Sequence, residues 1–244
     1  MAEKPHKRFA HDGIEQLAAN LWSVRGCLPF PLMRYMAIYR LPDGTLLLHS
    51  VIAMSDEGMA ALDALGRPAV MIVPHTGHRM DAPFYKARYP QIRVLAPAAA
   101  RAKIEQVIEV DATCEDALPA LGVRVHLVPA FKNGELAYEV DLAGGGKALL
   151  MSDAVANADH PKGFGGWFFQ NVTGGIKGRL GVARIMKMMM VTNKAEARAG
   201  LEKLAEIPGL TLLSVAHGHP VHAEKTQLVG DHAGHRDGHV ALVP

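Results

Sequence analysis

Three separate stations in this sequence gather side chains that can hold a metal ion or move a proton. The first is Pro74-His75-Thr76-Gly77-His78-Arg79-Met80-Asp81, the second Ser152-Asp153, and the third Ala216-His217-Gly218-His219-Pro220. Imidazole nitrogen and carboxylate oxygen are the donors that suit Zn, Fe or Mn. A carboxylate set between two such ions can bridge them, and water held there is activated near neutral pH. With 13 histidines and two cysteines, the chain is rich in the first kind of donor and poor in thiolates. Cys27 and Cys114 lie far apart without metal or redox spacing, so they read as buried free thiols of a reducing cytoplasm.

Each station follows an apolar run. Ala69-Val70-Met71-Ile72-Val73 is uninterrupted, the mark of a strand buried on both faces. Lys147 to Met151 runs into Ser152-Asp153, and Leu210 to Val215 into Ala216-His217. Polar groups placed directly after a buried strand occupy the usual position of a site in an α/β fold. Upstream, Asn20 to Arg25 and Arg34 to Leu41 predict strands, and the turn Pro42-Asp43-Gly44 closes a hairpin with Thr45 to His49. Ser55-Asp56-Glu57 opens a short helix through Leu65, with Met59, Leu62 and Leu65 on one face. Further helices are predicted near Pro83 to Tyr89 and from Ala98 to Gln106, with a strand over Ile92 to Leu95 between them. Val123 to Val128 alternates, and Leu136 to Leu142 pairs with Lys147 to Met151 across Gly144-Gly145-Gly146. Ile176 to Met190 predicts a Met-rich helix whose Met186 to Met190 end packs in the core. Asn193 and Glu196 form a capping-box pattern opening a helix with Ala197, Leu201 and Leu204 on one side. Two halves, holding two sheets between helices, are the economical α/β (α+β) solution, a four-layer αββα sandwich. A doubly wound parallel sheet competes, but the hairpin and the middle meander favour antiparallel pairing.

The order of these pieces resembles the metallo-β-lactamase superfamily, in which a His/Asp-rich loop follows a buried strand, an Asp closes a later strand and a His closes the last. Leu21-Trp22-Ser23-Val24, the hairpin Leu41 to Ser50, Gly178-Arg179-Leu180-Gly181-Val182-Ala183-Arg184 and Ala216-His217-Gly218 are further similar to an uncharacterised branch of it. The likeness spans roughly residues 17 to 228. It implies that His75, His78, Asp153 and His217 hold metal. The superfamily's loop is H-x-H-x-D-H, whereas this chain has His75-x-x-His78-x-x-Asp81-Ala82. Where the family has a third His, after the strand ending near Val128, this chain has Phe131-Lys132-Asn133-Gly134. A protonated Lys132 cannot replace a neutral imidazole.

Each donor also has a plainer reading. His75 and His78 read as ligands or as loop hydrogen-bonding groups. Asp81 reads as ligand or general base, or as the N-cap of the following helix. Asp153 reads as ligand or as a turn cap. His219 and Lys132 are expected to support the ligands from behind. His126 is expected near the surface, on the face opposite Val125 and Leu127. The aromatic residues Trp167, Phe168 and Phe169 belong to a Gly-rich loop, and His232, His235 and His239 to a tail read as mobile.

Residues 1–16 are therefore expected as an N-terminal extension, 17–228 as one metallo-β-lactamase-like domain and 229–244 as the His- and Gly-containing tail. A formal net charge of +2 is too near neutral to predict nucleic acid or an anionic membrane as partner. No apolar run is long enough for a signal peptide or a bilayer span, so a cytoplasmic chain is expected. The expected function is metal-dependent, hydrolase-like activation of water on a small-molecule substrate, with at most one ion of Zn, Fe or Mn. The alternative is a non-catalytic protein of the same fold, without metal, binding a small molecule or a protein partner.

Overall fold

The computed structural model of the 244-residue chain describes residues 6–28, 33–157, 180–182 and 184–222. Its contacts divide it between Gly122 and Val123 into two compact units.

The first unit is built on one seven-stranded sheet whose strands follow in chain order. They are β1 (Glu15–Ala18), β2 (Leu21–Cys27), β3 (Met33–Arg40), β4 (Leu46–His49), β5 (Pro68–Ile72), β6 (Arg93–Ala96) and β7 (Ala112–Thr113). The first four pair antiparallel and β4 to β7 pair parallel. Parallel neighbours need crossovers, and α1 (Asp56–Leu65), α2 (Ala82–Arg88) and α3 (Arg101–Ile104) supply them. Ser55 starts α1 by accepting a hydrogen bond from the Gly58 amide at 3.2 Å. Met59 and Leu62 of α1 and Tyr85 of α2 are wholly buried against Trp22, Met36, Leu48 and Met71. The residues that alternate with these, Ala37, Leu47, Ile72 and Leu95, are buried as well. A short helix, α4 (Cys114–Ala117), follows β7.

The second unit carries a five-stranded sheet of β8 (Arg124–Leu127), β9 (Leu136–Asp141), β10 (Lys147–Met151), β11 (Leu210–Val215) and β12 (Val221–His222), in the order β12-β11-β10-β9-β8. β9 and β10 form the expected hairpin, and Gly144, Gly145 and Gly146 all take positive φ in its turn. β10 and β11 pair parallel with Met151 opposite Val215, so these two strands end side by side. α5 (Arg184–Met190) and α6 (Lys194–Ala205) complete the unit. Asn193 Oδ1 caps α6 by accepting from the amides of Ala195 and Glu196 at 3.1 and 3.2 Å. Ala197, Leu201 and Leu204 pack on Ala137, Leu149, Met151 and Leu213. Gly200 lets the helix approach closely, since a Cβ there would stand 2.3 Å from Pro129 Cδ. An apolar cavity of about 30 Å³ remains among Leu149, Met151, Leu201, Leu204 and Leu213. On β9, Glu139 is buried beneath a cluster of basic side chains: Arg124 Nε at 2.6 Å, His126 Nε2 at 2.7 Å and Lys147 Nζ at 2.8 Å.

Several expectations are corrected. The stretch expected as an extension already joins the sheet, because Glu15–Ala18 is β1 and His11 bridges Gly26. The Ala98–Gln106 helix contracts to Arg101–Ile104, flanked by turns. The Met-rich helix begins at Arg184, and Gly181 before it forms a bridge with Ala156 instead. Met188 and Met189 face solvent, at 78% and 56% exposed, whereas Met190 packs against the core, so the core expectation fails at the first two. His126 is half-buried, as expected, but Leu127 beside it is exposed because β8 is an edge strand. Trp167, Phe168 and Phe169, Gly178-Arg179 and His232, His235 and His239 lie outside the described residues. Among the described residues no helix is long and apolar enough to cross a membrane.

Candidate metal centre

In the first unit the loop after β5 turns through a 3-10 turn, Thr76–His78. His75 has extended backbone and caps that turn, its Nδ1 accepting a hydrogen bond from the Gly77 amide at 3.0 Å. The ring folds against Gly77 because there is no Cβ, which would stand 2.8 Å from His75 Cε1. His78 closes the turn, 3% exposed, with Nδ1 2.6 Å from Ser50 Oγ. The two rings tilt by 46° at 4.5 Å between centroids. Ser50 follows β4 and is wholly buried at φ +59°, a left-handed conformation that costs a non-glycine residue about 1–3 kcal/mol.

Asp81 stands at the N-cap position of α2, yet its side chain makes no capping bond. Its carboxylate is taken up elsewhere. Arg34 Nη2, on a buried side chain, donates to Oδ2, and His6 Nε2 lies 2.9 Å from Oδ1. Arg34 also donates to the Val51 carbonyl at 2.9 Å, which ties the Asp81 loop to the chain after β4.

In the second unit the ends of β10 and β11 bring Asp153 and His217 together. Asp153 Oδ1 lies 3.2 Å from His217 Nε2, and the two side chains are 17% and 13% exposed. Behind Asp153 stands Glu135, buried, a residue sequence reasoning missed. Its Oε1 accepts from the amides of Asp153 at 2.9 Å and Ala154 at 3.3 Å, and its Oε2 from Asn133 Nδ2 at 2.9 Å. The one available signal was a glutamate at the mouth of a buried strand, since a carboxylate there must find donors. His219 is exposed and fastens the third station through its backbone: its amide donates to Asn157 O and its carbonyl accepts from Asn157 Nδ2. Lys132 is exposed, with its amide bonded to Met190 O at 2.9 Å.

No protein family and no curated relative matches the sequence. Solved structures do match. The DIM-1 metallo-β-lactamase exposed to ceftazidime superposes with a TM-score of 0.61 at 10% identity, covering 91% of this chain and 96% of that one. A metallo-β-lactamase from Hirschia baltica gives 0.57 at 12% identity, over 89% and 94%. The FIM-1 enzyme of Pseudomonas aeruginosa, in its mono-zinc form, gives 0.56 at 10% identity, over 93% and 95%. This is the metallo-β-lactamase fold.

The donor chemistry can be judged from the residues themselves. Two ligand atoms each about 2.0–2.2 Å from one tetrahedral ion stand roughly 3.3–3.6 Å apart. The 3.2 Å between Asp153 Oδ1 and His217 Nε2 is close to that separation. The residue types, a carboxylate and imidazoles without thiolate, are those of Zn, Fe or Mn sites.

Proposed function

We propose that this chain is a metal-dependent, hydrolase-like protein that activates water on a small-molecule substrate and holds at most one ion, with Zn²⁺ preferred over Fe or Mn. Asp153 and His217 would hold the ion. The observation that carries the reading is the Asp153–His217 pair, whose 3.2 Å spacing suits two ligands of one ion. An ion so held supplies Lewis acidity toward water or a substrate carbonyl near neutral pH. Glu135 fixes the backbone of Asp153 and so aims its carboxylate. Both oxygens of Asp81 already have partners, so Asp81 would anchor its loop rather than abstract a proton.

One observation favours the second reading, a non-catalytic protein of this fold binding a small molecule or a protein partner. Lys132 is exposed where the family resemblance calls for a third strand-end histidine. Elemental analysis of the purified protein and of His217→Ala separates the two. The enzyme reading expects up to one equivalent of metal in the wild type and little in the variant. Two equivalents would refute the ligand count, and none in either would leave the non-catalytic reading.

A further inference from the structure

We propose that Asn157 is a positioning residue: it ties the backbone of His217 to the same short stretch of chain that carries Asp153, and so sets the imidazole against the carboxylate. This rests on the metal-holding reading above and names the residue that keeps its two ligands in register.

The regular pairing of β10 with β11 stops just before the site. Met151 stands opposite Val215, and the Ala216 amide donates to the Met151 carbonyl at 3.0 Å. Beyond that bond, residues 153–157 take over the contact with the chain after β11. Ala154 and Val155 are buried in the core of the second unit, and Ala156 exchanges both backbone hydrogen bonds with Gly181, at 2.8 and 3.0 Å. The stretch is therefore anchored between its ends, with Asp153 at one and Asn157 at the other.

Asn157 makes three hydrogen bonds to the third station. Its amide donates to the His217 carbonyl at 2.9 Å, its carbonyl accepts from the His219 amide at 3.1 Å, and its Nδ2 donates to the His219 carbonyl at 2.9 Å. The first two form a parallel bridge across Gly218, which is buried at φ +131°, a conformation that residues with a Cβ rarely adopt. The backbone on both sides of Gly218 is thus held, and with it the direction in which His217 leaves the chain. His217 Nε2 then lies 3.2 Å from Asp153 Oδ1. A side-chain amide is a neutral donor. A lysine or arginine donating to the same carbonyl would set a positive charge near a cation site, where like charges repel.

Zn²⁺ affinity of the full chain, measured by competition with a chromophoric chelator, tests the assignment. Asn157→Leu keeps the volume but removes the side-chain donor, and its affinity should fall by about 10-fold, the lower end of the loss on removing a supporting partner. Asn157→Ser, whose hydroxyl is too short to reach the carbonyl, should show the same fall and serves if the leucine variant does not fold. Asn193→Ala destabilises the same unit through the cap of α6, which shares no bond with Asn157, and should bind Zn²⁺ as wild type does. An unchanged affinity in the Asn157 variants, or an equal fall in Asn193→Ala, would overturn the proposal. If the wild type binds no Zn²⁺, the metal-holding reading fails by itself. The clamp is then decided by amide hydrogen exchange of the metal-free protein. The amides of residue 157 and His219 should exchange faster in Asn157→Leu than in wild type, while Val140 and Leu149 of the β9–β10 hairpin keep their rates. Unchanged exchange at residue 157 and His219 would overturn it.

Discussion

Replacing Glu139 with Gln tests the cluster of basic side chains in the second unit through its pH dependence. Burial pushes the Glu139 carboxyl up, but hydrogen bonds from Lys147, His126 and Arg124 outweigh it and bring the group down from 4.5 to about 2. A carboxylate with a depressed native pKa stabilises the fold above its unfolded pKa, and that contribution is lost as pH falls through the native value. The window therefore runs from pH 4.5 down to about 2. The difference is worth roughly 3 kcal/mol. Glu139 is itself only 3% exposed, but its partners Arg124, His126 and Lys147 are 43%, 32% and 29% exposed. Solvent screening at the partners brings the expectation to roughly 2–3 kcal/mol. Urea denaturation of wild type and Glu139→Gln across pH 7 to 2, followed by circular dichroism, reads it. Wild type should be more stable by about that amount at pH 7, and the gap should close between pH 4.5 and 2. Because other carboxylates titrate in both proteins, the gap isolates this residue. A gap that stays constant through the window would refute the reasoning.

Three further substitutions probe particular contacts. Gly200→Ala gains about 1 kcal/mol of helix propensity, but its Cβ would meet Pro129 Cδ at 2.3 Å, and overpacking costs about 1–3 kcal/mol; thermal unfolding should show a lowered Tm, and a raised one would show that Pro129 yields freely. Arg34→Met leaves the Asp81 carboxylate with His6 alone, and denaturation at pH 7 should show a loss of about 3 kcal/mol, as for a broken buried pair; a loss well below 1 kcal/mol would mean that the pair is solvated. Asn193→Ala removes the acceptor for two amides of α6 and should cost about 1 kcal/mol by the same measurement.

The parts of this molecule that could be read from the sequence are those encoded locally. Ala69–Val73, Lys147–Met151 and Leu210–Val215 are short apolar runs ending in donors, and all three contribute strands that deliver the site residues. Ser55 and Asn193 announce their helices within a single turn, and both cap them. What the sequence hid depends on partners far along the chain. Ser50 has no reason to concern His78 until β4 and β5 pair in parallel and bring the two strand ends together. Nothing near Arg34 points to Asp81, and Glu135 gains meaning only when β9 and β10 set it behind Asp153. Spacing also failed to show that His75 spends its Nδ1 on Gly77, since tautomer and capping depend on backbone angles. Met188 and Met189 were misread because methionine satisfies a core pattern and a solvent-facing one equally well.

The parallel pairing of β10 with β11 fixes when, as well as where, Asp153 and His217 meet. Residues 152–209 separate the two strands, so their contact exists only after a long stretch of chain has closed on itself. Closing such a loop has an entropic cost before any contact compensates it, and pairings of high sequence separation slow folding. The β9–β10 hairpin can form from neighbouring residues alone, with Glu135 already poised over Asp153, but His217 must wait for β11. During folding, a carboxylate set by its own hairpin thus stands ready first, and the imidazole arrives with the last long-range strand. A nascent chain stopped short of Leu210 would carry only half of this pair.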